Sequence, residues 1–327
     1  MNSVSTKRNR YRWHGRLAFA LAVGLSITYA VILATLPMDA FLDRVNYLNY
    51  AANSAAIYDN YATGGVLSLL ANEPIWLGVN TLLAAFMDSE SVVRVVIFIS
   101  SFVVAVVALR RTKNLGLAIV FLVLPQVINN DIVHLRQGLA VAVFLVAWHS
   151  KRWWVSLLLL AITPFIHASF FFVVTMYLVA RTLSRFNLSP GIKFGIFASS
   201  GLVLGLAGQV TALMLGARQG ELYNSASLEV SGFSFLFWTG ILILMILQGR
   251  SYLQAHSFEF ACLIFYLTLY FISPLSGRIF EGVALLVLIA GSRMSGWRYN
   301  TFLVSITAYC LALYVLRINL PWFGFGA

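Results

Sequence analysis

The chain has 327 residues, 60% of them hydrophobic and only 10% charged. A soluble domain carries about a quarter charged residues, so the composition excludes a water-soluble enzyme and points to an all-α, polytopic integral membrane protein. The net charge of +11 would suit nucleic acid, but it lies mostly in short loops between apolar runs, which argues for membrane topology and for no nucleic-acid partner.

Residues 1–16 are a basic segment, with Lys7 to Arg16 placed to anchor the inner face and meet anionic lipid headgroups. The first apolar run, Leu17–Pro37, lacks a small-residue cleavage site and reads as a retained helix. An outer segment, 38–90, follows. Inside it Pro74–Met87 is apolar but only fourteen residues long, about 21 Å of helix against a hydrocarbon core of about 30 Å. Crossing here would put Arg110, Arg111 and Lys113 outside and invert every later loop. The piece is therefore expected to be re-entrant or interfacial.

Ten further spans are predicted: Ser91–Leu109, Leu115–Asn129, Gln137–Trp148, Trp153–Ile166, Ala168–Leu183, Ile192–Leu213, Phe233–Leu247, Ser257–Ile272, Ile279–Gly291 and Asn300–Leu316. That makes about eleven transmembrane helices in one domain, 17–316, with a second outer loop at 214–232 and an outer tail at 317–327. With these cuts 16 of the 22 Lys and Arg fall on one side, and ten of the 11 acids fall on the other; only Glu259 joins the basic side. Cationic loops stay cytoplasmic, so the N-terminus is expected inside and the acids outside. Six arginines break the trend: Arg44, Arg94, Arg136, Arg218, Arg278 and Arg317. Gly201, Gly205 and Gly208 make a small-residue face suited to close helix packing. Cys262 and Cys310 sit in apolar runs and offer neither a disulfide framework nor a metal cluster. No metal and no cofactor is expected.

Chemistry-bearing residues gather on the outer side. Asn129–Gln137 reads NNDIVHLRQ and runs into an apolar helix. Asp131 and His134, three apart, would share a helical face, with Arg136 on the other side and Gln137 beside it. An arginine offers a rigid fork of donors matched to phosphate or carboxylate. At bilayer depth it costs about 2.5–3.5 kcal/mol on insertion scales, so it needs a partner or a purpose. The alternative is an interfacial arginine reaching for headgroups.

His167, in PFIHAS at 164–169, lies where one span turns into the next; it is either a hydrogen-bonded turn residue or a participant in chemistry. In SPLSGRIFEG at 273–282, Arg278 and Glu281 are three apart and could pair on one turn, or Arg278 could join Arg136 in an outer anion site. If 41–61 is helical, Asp43, Tyr47, Tyr50, Ser54, Tyr58 and Tyr61 share a face. That stripe suits packing, and with Arg44 beside it suits a carbohydrate equally. Glu73, just before Pro74, could aim one more carboxylate into the same space. The loop 216–232, with Arg218, Glu221, Tyr223 and Glu229, could cover a cleft.

DRVNYLNY in the outer loop, EPIW opening the short apolar piece, LRQGLA, and FIHAS after a Lys-Arg loop together resemble the EpsG family of Wzy-like polymerases. The stretch that carries the resemblance, Asp43–Phe170, is about two fifths of the chain. The family's Gly-x-Asp-Tyr is not reproduced, since Asp43 and Tyr47 are four apart.

The resemblance implies a multi-pass protein of the cytoplasmic (inner) membrane. Its site would face the exterior and join undecaprenyl-diphosphate-linked oligosaccharides in capsule, exopolysaccharide or O-antigen synthesis, beside a flippase and a chain-length regulator. In that reading Arg136 and Arg278 hold the diphosphate, His167 is a further contact or base, Asp43 or Glu73 orients the acceptor, and the Tyr face binds glycan. An O-antigen ligase shares the donor chemistry, but its large late loop is not matched by the roughly seventeen residues here. A transporter or flippase of lipid-linked glycan would carry charges at mid-span, whereas here they gather at one face. A membrane O-acyltransferase leaves the Arg-Gln element without a role, and a structural subunit would tolerate loss of Arg136 and Arg278.

Overall fold

The computed structural model describes residues 3–112, 114–186, 188–214 and 232–326. Residues 215–231, which hold Arg218, Glu221, Tyr223 and Glu229 of the late loop, lie outside them. The described chain is all-α. In order it forms α1 (Ser3–Thr35), α2 (Arg44–Thr63), α3 (Val66–Ala71), α4 (Pro74–Ala84), α5 (Ser89–Arg111), α6 (Leu115–Val123), α7 (Pro125–Ile132), α8 (Leu135–His149), α9 (Trp153–Ile162), α10 (Phe170–Ser184) and α11 (Pro190–Met214). After the undescribed loop come α12 (Phe233–Leu247), α13 (Arg250–Ala255), α14 (Ser257–Leu269), α15 (Leu275–Glu281), α16 (Ala284–Gly291) and α17 (Trp297–Leu316).

Among the described residues four helical stretches are long and apolar enough to cross a membrane: Leu17–Thr35, Ser89–Arg111, Pro190–Gly208 and Trp297–Leu316. A fifth is added if α6 and α7, bent by 59° at their junction, count as one broken span. The remaining apolar helices are shorter, 10–17 residues. Two predicted spans are interrupted. Pro125 has no amide proton and pushes the residue before it out of the helical region; Leu124 is extended at φ −61°, ψ 128°. Ile279–Gly291 is broken at Val283 (φ −125°, ψ −3°), so its halves belong to α15 and α16. The expected short piece after Glu73 is α4, eleven residues packed on α2, with Trp76 against Tyr47 and Thr81 donating to Ser54.

Helix ends are fixed by specific caps. Asp88 accepts from the Ser91 amide at the start of α5, and Asn114 accepts from the Leu117 amide at the start of α6. Helices α1 and α5 run antiparallel. At one end Arg94 donates to the Ala34 carbonyl; at the other the Arg110 guanidinium lies 4.9 Å from the Phe19 ring centroid. The glycine face of α11 meets α14, with Gly201 against Phe265 and Gly205 against Leu269. Tighter still is the junction of α7 and α8, where a Cβ on Gly138 would stand 2.1 Å from the Asn130 carbonyl oxygen. Only glycine lets these backbones approach so closely, and the approach seats the first turn of α8 against α7.

Candidate active site

Glu73 joins α3 to α4 and has a left-handed backbone (φ 61°, ψ 56°) immediately before Pro74. A non-glycine residue there carries about 1–3 kcal/mol of strain that the surroundings must hold in place. What holds it is its carboxylate. Oε2 accepts from Arg136 Nη1 at 2.5 Å, from the first turn of α8. Oε1 accepts from His167 Nδ1 at 2.7 Å and from the Ala168 amide at 3.1 Å, just ahead of α10. The side chains of Glu73, His167 and Arg136 are 4%, 5% and 18% exposed, so the group is nearly dry and the arginine is its most open member.

Burial by itself pushes the Glu73 carboxyl upward, but Arg136, His167 and the Ala168 amide outweigh it and hold the pKa at about 2. The carboxylate is therefore ionised throughout the physiological range, and its contribution to stability is lost only as pH falls from the ordinary 4.5 through about 2. His167 moves the other way from a typical paired histidine. Burial lowers its pKa below 6.5, Glu73 opposes this, and Arg136 and Arg278 add to the lowering. A neutral ring that donates from Nδ1 to Glu73 carries its lone pair on Nε2.

Two tyrosines of the predicted stripe line this group. The Tyr50 ring centroid is 5.4 Å from the Arg136 guanidinium carbon, and Tyr47 sits edge-on to Trp76 at 5.6 Å. Both are buried, as is Ser54, whose hydroxyl accepts from Thr81 at 2.9 Å. Tyr47 and Ser54 are packing residues, Tyr50 also borders the cleft along α2, and Tyr58 is exposed. Asp43 is likewise left-handed (φ 62°, ψ −14°) ahead of α2; it accepts from Asn46 at 3.2 Å and is exposed.

A second carboxylate–histidine pair lies across the start of α8. His134 Nδ1 is 3.2 Å from Glu281 Oε2, and Asn129 Nδ2 donates to both Glu281 oxygens at 3.2 and 3.3 Å. Gln137 Nε2 donates to the Arg278 carbonyl at 2.5 Å and so ties α8 to α15. The pairing anticipated between Glu281 and Arg278 gives way to Glu281 with His134 and Asn129. Arg278 nevertheless sits near enough for its charge to act on His167.

Other expectations are redistributed. Asp131 and His134 do not share a helical face, because α7 ends at Ile132 and α8 begins at Leu135. Asp131 is wholly buried beside Tyr29 of α1. Arg44 is wholly buried too: it donates to the carbonyls of Ile132 at 3.1 Å and of Leu36 and Pro37 at 3.2 Å. It clamps the end of α1 to the end of α7, a scaffold position rather than the substrate contact anticipated from sequence. Asn129 and the Ala168 amide were missed, since each is defined by a partner 152 and 95 residues away. A cleft of about 400 Å³ runs along α2, lined by Asn46, Asn49, Tyr50, Asn60 and Tyr61; its two tyrosines belong to the predicted stripe, whereas Asn49 and Asn60 were not anticipated. Its asparagines recur at helical spacing, but the kink at Asn53 (φ −123°, ψ 16°) could not be foreseen.

In comparison with known proteins, the sequence matches the EpsG family over residues 18–321. The match runs well beyond the Asp43–Phe170 stretch whose motifs carry the resemblance. No curated protein and no solved structure matches the chain.

Proposed function

We propose, from the premise that this chain belongs to the EpsG family, that it polymerises lipid-linked oligosaccharide repeat units. The observation that carries the reading is the buried Arg136–Glu73–His167 group, assembled from three separate segments at the acid-rich end of the bundle. In this account the chain crosses the cytoplasmic membrane about eleven times, with basic loops inside and the site outside. The short helices cross as parts of the bundle, their backbone hydrogen bonds made within each helix.

The donor is a glycan on undecaprenyl diphosphate and the acceptor is the non-reducing end of another lipid-linked unit. An acceptor hydroxyl attacks the anomeric carbon while the bond to the diphosphate oxygen breaks. The hydroxyl proton passes to His167 Nε2, and the electron pair of the broken bond leaves on the diphosphate. Arg136 and Arg278 stabilise the charge that develops there. Arg136 fits this role because its Nε is a buried donor without a hydrogen-bond partner among the described residues. Glu73 is a positioning residue: it fixes the His167 tautomer and holds the Arg136 fork. The α2 cleft, with its amides and two tyrosine rings, receives the acceptor sugar. Asp43, exposed at the start of α2, meets sugar hydroxyls in this account. A flippase and a chain-length regulator complete the expected setting.

Arg136→Ala tests this reading through glycan chain length in producing cells, with membrane insertion checked by immunoblot. Long polymer should disappear while single repeat units accumulate on lipid, a loss on the order of 10²-fold or more. Normal polymer from a well-inserted variant removes Arg136 from the site and the polymerase assignment with it.

A further inference from the structure

At the opposite end of α8, some 20 Å of helix from Arg136, lies a feature that the proposed chemistry does not use. Helices α5 and α8 finish side by side and leave an open groove of about 360 Å³ between their last turns. Its walls are apolar, among them Phe102, Val106 and Val146, the last 46% exposed. Its mouth is cationic, formed by Arg110 and Arg111 from the end of α5, and the His149 ring from the end of α8 borders it. Neither arginine has an ion pair among the described residues; Arg110 rests on Phe19 instead. Lys151 and Arg152 follow directly in the next loop. The one acid on this side, Glu259, faces His256 at 3.5 Å. Positive charge is thus left uncompensated at the rim of an apolar slot.

We infer that this groove binds one anionic phospholipid, with an acyl chain along α5 and α8 and the phosphate on Arg110 and Arg111. An acyl chain alone would be satisfied by any membrane-facing slot. The paired guanidinium groups are what select a phosphate bearing net negative charge, because they offer fork-like donors at headgroup level. The volume falls within the range of small-molecule sites, and juxtamembrane arginines draw anionic lipid with additive strength. The site is separate from the glycan chemistry and stands whether or not the polymerase reading holds.

The test is native mass spectrometry of the full chain in detergent, titrated with phosphatidylglycerol or with phosphatidylcholine of the same acyl chains. Wild type should retain one phosphatidylglycerol in preference. Arg110→Gln with Arg111→Gln should weaken that retention by roughly 30-fold and leave phosphatidylcholine unchanged. Val146→Trp, which fills the groove from its exposed edge, should reduce retention of both lipids while the arginines stay in place. Equal retention of the two lipids by wild type, or unchanged phosphatidylglycerol retention in the double variant, overturns the proposal. So does stronger retention of undecaprenyl phosphate than of phosphatidylglycerol, which would make the groove a carrier-lipid site.

Discussion

Glu73→Gln is expected to abolish polymer formation, by on the order of 10³-fold or more, because one carboxylate serves two partners. Glutamine keeps the shape of the side chain but removes its charge, which leaves Arg136 buried without a counter-charge and one acceptor oxygen where Arg136 and His167 need two. Breaking a buried ion pair from one side costs about 3–5 kcal/mol, so a fall in thermal stability should accompany the loss. The double variant Glu73→Gln with Arg136→Met separates the two effects. Removing both charges should restore much of the stability, since the penalty comes from the orphaned partner. Activity should stay absent, because neither the fork nor the oriented imidazole returns. Recovery of polymer in the double variant would make this pair a structural staple and nothing more.

His167→Gln should cost polymerisation on the order of 10²–10⁴-fold, the range that a positioned proton acceptor supplies, with little change in stability or membrane insertion. The pH profile tells a base from a packing residue. Burial keeps the His167 pKa below its ordinary 6.5 despite Glu73, so the ring is neutral and able to accept a proton at pH 7. Wild-type activity should hold from pH 8 down to 6.5 and fall only at lower pH, as His167 becomes protonated. Glu73 takes no part in that fall, since its carboxyl stays ionised down to about pH 2. The residual activity of His167→Gln should lack the acid limb. A variant with the wild-type profile at reduced height would assign His167 a structural role.

Much of this architecture was legible in the sequence because membrane physics writes it there. Low charge content and apolar runs declare the class. The sorting of Arg110, Arg111 and Arg298 from Glu73, Asp131 and Glu281 marks the two ends of the bundle. Arg136 stood out because an arginine among acids at an apolar helix start needs a reason, and His167 because it punctuates two apolar runs. Helix lengths were harder. Apolarity marks Leu115–Asn129 as one run, but Pro125 bends it by 59°, and hydropathy carries no penalty for a bend. Pairings were hardest of all. Nothing local in the sequence links Glu73 to residues 136 and 167, or tells that Glu281 turns to His134 instead of Arg278 three residues away. Arg44 and Asp131 show the converse: both look like outer-face binding groups in sequence, and packing buries both completely.

The central claim is that the Arg136–Glu73–His167 group joins lipid-linked glycans without another energy source. The most direct measurement gives the purified protein only undecaprenyl-diphosphate-linked repeat units, in chelator and without any nucleotide sugar, and resolves the products by length. The account predicts a ladder of multimers from wild type, release of undecaprenyl diphosphate in step with it, and from His167→Gln a ladder reduced on the order of 10²-fold or more. Single units alone from a folded wild-type protein, or an equal ladder from the variant, would contradict it.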